Sequence, residues 1–157
     1  MKSEHSFINS MTWTARDKTL ILPRLVVGLV FLTEGIQKFL FPEFLGTGRF
    51  EKIGFLNPAF WAYFTGSFEI LCGSLIVLGL LTRLAAIPLF IIMMTAFVTT
   101  KWPLLVTKGF WVMAHEYRTD FAMTLLLVFL FINRSGSWSL DSKISKPSHR
   151  MLSRRKY

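Results

Sequence analysis

The sequence contains a single cysteine, Cys72, and few charged residues for its length. One cysteine excludes a disulfide, a dithiol redox pair and a cysteine metal cluster within the chain, and we expect Cys72 to be a buried structural thiol. Charged residues make up 17% of the 157 residues, against roughly 25% in ordinary soluble domains. Because hydrophobic residues make up 52% and stand in long blocks, the sequence favours burial in lipid.

Motifs for several kinds of cofactor site are incomplete or missing. His115-Glu116 begins like the helix motif of zinc proteases, but Thr119 stands where the second histidine is required. No Glu-x-x-His pair indicates a di-iron bundle site. Gly46 and Gly48 lack the third glycine of a dinucleotide fingerprint. The sequence therefore indicates no metal, and it shows no motif for haem, flavin or iron-sulfur binding.

Four apolar blocks predict an all-α integral membrane protein, a bundle of four transmembrane helices. The predicted spans are residues 20–41, 58–81, 84–102 and 114–132. The first three reach the roughly 20 residues that a bilayer core requires, whereas the fourth is apolar throughout only over 121–132. Thr82 and Arg83 alone separate the second and third blocks, which predicts an antiparallel hairpin.

Lysine and arginine are distributed unequally between the two faces of such a bundle. One face carries twelve: Lys2, Arg16, Lys18, Arg24, Arg83, Arg134, Lys143, Lys146, Arg150, Arg154, Arg155 and Lys156. The other face carries five: Arg49, Lys52, Lys101, Lys108 and Arg118. Lys38 lies in addition at the end of the first helix, towards this second face. The positive-inside rule therefore places segment 1–19 and the basic tail 134–157 in the cytoplasm. We expect the tail to meet anionic lipid headgroups rather than nucleic acid, and snorkelling to explain Arg24 and Arg83.

The remaining ionisable residues gather towards the opposite, outer face. At about 1.5 Å of rise per residue, Glu34 lies roughly 18 Å from the cytoplasmic entry of the first span, and Glu69 lies roughly 15 Å from the outer entry of the second. Both positions fall between the midplane and the outer surface. Gln37 and Lys38 lie about one turn further out than Glu34. The outer turns of the fourth span hold His115, Glu116, Arg118 and Asp120. This convergence predicts a polar site in the outer half of the bundle.

Glu69 stands between Gly66 and Gly73, which share its helix face and let another helix approach closely. Two interpretations follow. In the structural one, Glu34 and Lys38 form a surface pair with Lys38 snorkelling, and a protonated Glu69 hydrogen-bonds between helices. In the functional one, the intramembrane carboxylates exchange protons.

Several segments resemble the DoxX family of small bacterial membrane proteins. They are Arg24, Gly28, Gly35, Lys38 and Pro42, then Gly66, Glu69, Gly73 and the run 78–83, and finally Gly136 with 138–141. The resemblance covers residues 24–141 and implies a four-helix bundle in the bacterial cytoplasmic membrane. Relatives include a membrane subunit of thiosulfate:quinone oxidoreductase and proteins linked to thiol or quinone stress. Lys38 and Glu69 match the family pattern directly, whereas His115 and Arg118 lie where the family varies.

The leading hypothesis is a quinone-linked redox protein in which Glu34 and Glu69 exchange protons. The residues expected to bind the quinone headgroup are Lys38, Gln37, His115, Glu116 and Arg118. Electrons would come from the substrate or from a redox partner protein. The alternative is a non-catalytic membrane subunit or assembly factor. A small proton-coupled transporter is less well supported because no inverted repeat is visible, although a homo-oligomer could supply a pathway.

Overall fold

The computed structural model describes residues 18–133, 135–136 and 138–145, and all regular structure in them is helical. The helices are α1 (Ile21–Leu40), α2 (Thr47–Ile53), α3 (Pro58–Leu78), α4 (Thr82–Ala96), a π-helical turn (Phe97–Lys101), α5 (Trp102–Lys108), α6 (Phe110–Asn133) and α7 (Leu140–Ser145). The predicted all-α class is confirmed. The cytoplasmic segment predicted at 1–19 and the basic tail at 134–157 lie largely outside the described residues.

The long helices differ in how well they suit a bilayer. Pro58–Leu78 and the continuous stretch Thr82–Lys108, which joins α4, the π-helical turn and α5, are long and apolar enough to cross a membrane by length and composition. α1 and α6 are also long, with 20 and 24 residues, but each carries three charged side chains. These charged side chains need partners inside the bundle, so their contacts constrain how α1 and α6 pack against the apolar helices.

The turn between α3 and α4 lies three residues earlier than the sequence predicts. Gly79 adopts φ +67° and Leu81 φ +49°, and the amide of Gly79 donates to the carbonyl of Ile76 at the end of α3. Gly79 thus provides a left-handed cap at the end of α3, a conformation that costs glycine little. Thr82 and Arg83, predicted as the connection, instead form the first turn of α4.

The helices pack as a bundle in which α1 lies most extensively against α3, and α4 lies against both α3 and α6. Eleven buried residues form its core: Val27, Phe31, Cys72, Ile76, Ala85, Ala86, Leu89, Met93, Met123, Leu127 and Leu130. Cys72 is 4% exposed, as expected for a structural thiol. Many large apolar side chains lie on the outside, including Leu22, Leu71 and Ile91, as a lipid-facing surface requires.

The two ends of the bundle have different structures. At one end, called the terminal end below, the start of α1 meets the α3–α4 turn and α7, and the amide of Asp141 donates to the carbonyl of Gly79 at 3.1 Å. At the other, the loop end, lie α2 and the α5–α6 junction at Gly109. Lys38 and the first turns of α6 belong to the loop end.

Candidate functional site

The contact between α1 and α3 is built on glycine. A Cβ atom on Gly35 would lie 2.7 Å from the carbonyl oxygen of Gly66, and one on Gly73 would lie 2.9 Å from the carbonyl oxygen of Gly28. Gly28 and Gly35 are two turns apart on α1, as Gly66 and Gly73 are on α3. The two backbones therefore touch at two levels, an approach that larger residues would prevent.

An ion pair joins the same two helices close to the contact between Gly35 and Gly66. Nζ of Lys38 lies 2.6 Å from Oε2 of Glu69, and the two side chains are 9% and 5% exposed. Each residue follows a contact glycine by three positions, Lys38 after Gly35 and Glu69 after Gly66. Because residues three apart lie on one helix face, the glycine contact brings this cation and this carboxylate together.

The structure contains the predicted contact between Glu34 and Lys38 and adds a shorter one between Lys38 and Glu69. Lys38 is buried rather than snorkelling at the surface, and its close partner is Glu69 rather than Glu34. The nearest carboxylate oxygen of Glu34 lies 4.0 Å from Nζ of Lys38, and the Glu34 side chain is 47% exposed. The four-residue spacing correctly identified Glu34 as a neighbour of Lys38. Glu69 lies on α3, so its contact with Lys38 depends on how the two helices pack.

The buried ion pair is stabilised by the contact between its two charges and by a neighbouring backbone carbonyl. Either charge alone would be costly in an apolar interior, whereas the short contact between ammonium and carboxylate offsets part of that cost. Nζ of Lys38 also donates a hydrogen bond to the backbone carbonyl of Glu34 at 3.5 Å. Glu34, half-exposed, thus connects the buried pair to the surface, and Gln37 lies half-buried beside Lys38 in the chain.

The predicted residues of α6 form a second group. His115, Glu116 and Arg118 are exposed, and a guanidinium nitrogen of Arg118 lies 3.4 Å from Nδ1 of His115. Across the described residues, no hydrogen bond or ion pair joins these three to Lys38, Glu34 or Glu69. A shared role for the two groups in one site stays a prediction.

A second ion pair, which the sequence did not indicate, lies at the loop end. Nζ of Lys101, in the π-helical turn, lies 3.3 Å from Oδ2 of Asp120 and donates to the carbonyl of Glu116 at 3.0 Å. This pair fastens the turn to α6. Lys101 and Asp120 are 19 positions apart on different helices, so spacing along a single helix could not predict this pair.

Arg24 was expected to snorkel at the membrane surface, and that interpretation is wrong. It is 2% exposed and donates to four backbone carbonyls at 2.7–3.0 Å, those of Ile76, Val77, Ser135 and Trp138. The guanidinium donates to two carbonyls in the last turn of α3 and to two in the segment before α7, and so ties these elements together.

Asp141 completes this arrangement at the terminal end. One of its carboxylate oxygens accepts from the amide of Leu81 at 3.0 Å, and the other accepts from the hydroxyl of Ser135 at 3.1 Å. Arg24 and Asp141 together fix the segment that contains Ser135, Trp138 and Asp141, called the closing segment below, onto the α3–α4 turn. The terminal end therefore has the features of a structural connection, and the candidate site lies at Lys38 and Glu69.

Two surface cavities lie away from that pair. The larger, about 520 Å³, opens between Pro42 and α2 at the loop end. The other, about 230 Å³, is an apolar groove between α4 and α6. Neither is lined by Lys38 or Glu69, so the predicted headgroup pocket beside them stays a prediction.

Comparison with known proteins places the chain among bacterial membrane proteins. The DoxX family profile matches residues 19–102. A Mycobacterium tuberculosis protein described as an uncharacterized membrane protein is 52% identical over 134 residues, which cover 82% of each chain. The Bacillus subtilis protein named "Putative oxidoreductase CatD" is 34% identical over 84 residues, 53% of this chain and 59% of that one.

No solved structure matches the chain. The profile match includes α1, α3 and α4 and therefore both members of the Lys38–Glu69 pair. It extends over more than half of the sequence, and the mycobacterial relative matches over most of its length. The chain belongs to the DoxX family of membrane proteins.

Proposed function

We propose that the protein is a membrane component of quinone-linked oxidoreduction, with the Lys38–Glu69 pair as its proton-exchanging centre. The observation that carries the proposal is a carboxylate and an ammonium 2.6 Å apart, both nine-tenths or more buried among apolar helices. Intramembrane ionisable groups are costly and are by default functional. The 34% identity to a protein named as an oxidoreductase supports the same class of reaction.

The chemistry requires protons at a quinone carbonyl oxygen. Reduction of a quinone to a quinol consumes two electrons and two protons, and we assign the electrons to a reduced sulfur compound of the thiosulfate class, which leaves as the oxidised disulfide-linked dimer. Glu69 takes up each proton from the aqueous surface through Glu34 and passes it to the quinone oxygen, while Lys38 and Gln37 donate hydrogen bonds to that oxygen. The donor set thus fits a neutral carbonyl substrate.

Glu34 gives the buried pair a connection to the surface. Its carboxylate is half-exposed and lies 4.0 Å from Nζ of Lys38. A proton that leaves Glu69 can be replaced through Glu34 without exposing the ion pair to water. This path explains why two carboxylates flank one lysine in the same part of the bundle.

The test uses the full chain reconstituted in lipid, with thiosulfate as donor and a water-soluble quinone as acceptor. The double variant Lys38→Met/Glu69→Leu removes both buried charges together, so no buried ion loses its partner and the chain should still insert and fold. We expect quinone reduction to fall to background. The matched control is Lys52→Met/Glu51→Leu on exposed α2, which should reduce quinone at the wild-type rate. Wild-type turnover in the first double variant would refute the proposal.

A second candidate function, a non-catalytic subunit or assembly factor, is favoured by how little of the apolar spans the chain itself covers. Of the apolar 18-residue stretch in Pro58–Leu78, 33% is buried within the protein. In Thr82–Lys108 the buried share of the corresponding stretch is 17%. That surface suits lipid or the membrane helix of a partner. Turnover by the isolated chain supports the enzyme, whereas turnover only in a larger complex supports the subunit. Quinones that copurify in mild detergent, identified by mass spectrometry, would add to the first.

A further inference from the structure

Arg83 differs from Arg24 in having no polar partner among the described residues. It is half-buried in the first turn of α4, and its guanidinium lies 4.8 Å from the ring centroid of Phe131 on α6. No hydrogen bond or ion pair to another described residue accompanies this cation–π contact. The five N–H donors of the guanidinium are therefore available to an anion at the terminal end.

An apolar groove begins beside this arginine. Its volume is about 230 Å³, and its walls include Ile87, Phe90 and Ile91 on α4 and Leu127, Val128 and Phe131 on α6. Phe131 belongs both to the groove and to the contact with Arg83. Ile91 stands eight residues beyond Arg83, so the groove extends roughly 12 Å from it along α4.

We infer that Arg83 and this groove form a binding site for an acidic phospholipid of the leaflet at the terminal end. The phosphate binds the guanidinium at the membrane surface, and one acyl chain lies in the groove beneath it. The order of groups matches the lipid: a cation at the helix end, then an apolar channel that leads towards the bilayer centre. Guanidinium binds phosphate through paired hydrogen bonds, which a neutral apolar groove alone would not provide.

Charge complementarity selects this occupant over a second copy of the chain. The face that carries Arg83 is the one to which the sequence assigns twelve lysines and arginines, so a second copy would bring the same positive charge against it. An acidic headgroup is instead attracted to such a face. The stacked Phe131 ring holds the guanidinium at the mouth of the groove rather than leaving it free in the headgroup layer.

The experiment is native mass spectrometry of the full chain in detergent, titrated with phosphatidylglycerol or with phosphatidylcholine. We expect wild type to retain phosphatidylglycerol in preference to phosphatidylcholine, and Arg83→Gln to weaken phosphatidylglycerol binding about tenfold. Arg83→Lys keeps a charge and should retain part of the affinity. The control is Lys108→Gln, an exposed residue at the loop end, which should bind as wild type does.

A groove variant separates this site from general surface attraction. Ile91→Trp adds bulk at a residue that is 58% exposed and lines the groove, and it should weaken phosphatidylglycerol binding while Arg83 is intact. Thermal unfolding in detergent checks that each variant is folded. Equal retention of the two lipids by wild type, unchanged binding in Arg83→Gln, or an equal loss in Lys108→Gln would each overturn the inference.

Discussion

Lys38 on α1 and Glu69 on α3 form a buried ion pair of 2.6 Å because each follows, by three positions, a glycine at which the two helix backbones touch. The glycine contact and the ion pair are thus one structural unit. Close backbone approach places the two charged side chains against each other, and their attraction in turn opposes separation of the helices. Changes at either part should be felt at the other.

Glu69→Gln should impair function more than folding. The amide oxygen still accepts a hydrogen bond from Lys38, but the side chain no longer exchanges a proton. Glu69→Leu leaves Lys38 without its close partner and should lower the free energy of unfolding by about 3–5 kcal/mol. Activity and thermal unfolding of the two variants in detergent provide the measurements. Wild-type activity of Glu69→Gln at normal expression would contradict a role of Glu69 in proton transfer.

Gly66→Leu should separate α1 from α3. A Cβ atom at this position would already lie 2.9 Å from the Phe39 ring and 3.3 Å from the carbonyl oxygen of Gly35. Overpacking of this kind costs about 1–3 kcal/mol or more, and it should also lengthen the Lys38–Glu69 contact and lower activity. Ser67→Leu is the control, since Ser67 is exposed on the same helix. Equal melting temperatures for the two variants would contradict the tight contact.

Arg24→Gln should release the closing segment from the terminal end. The substitution removes donors from four backbone carbonyls, and each buried group left unsatisfied costs about 1–3 kcal/mol. We expect a lower melting temperature and faster proteolysis near α7. Arg24→Lys offers three donors instead of five and should fall between wild type and Arg24→Gln. Unchanged proteolysis in Arg24→Gln would show that α7 is held by other contacts.

The C-terminus should lie in the cytoplasm. The twelve-to-five distribution of lysine and arginine between the faces favours this orientation if all four long helices cross the membrane. Paired C-terminal reporters measure it: a GFP fusion should fluoresce, and an alkaline phosphatase fusion should be inactive. The reverse result would mean an odd number of crossings or an inverted bundle.

The sequence predicted the helices well and their ends less well. Long apolar blocks determine the class because each must satisfy its own backbone in lipid. The end of α3 was misjudged because Leu80 and Leu81 continue the apolar run, whereas the left-handed conformation of Gly79 ends the helix. The close helix contact at the glycines around Glu69 was also predictable, since small residues at helical spacing indicate such a contact.

By itself, the sequence determined an all-α membrane protein, the face on which Glu69 meets another helix and the residues that resemble the DoxX family. Only the tertiary structure decided which charges pair. Lys38 meets Glu69 from 31 residues away, Lys101 meets Asp120, and Arg24 is buried among carbonyls rather than at the surface. Spacing along one helix reports only neighbours on that helix, whereas these partners lie on different elements and meet through the packing of helix against helix.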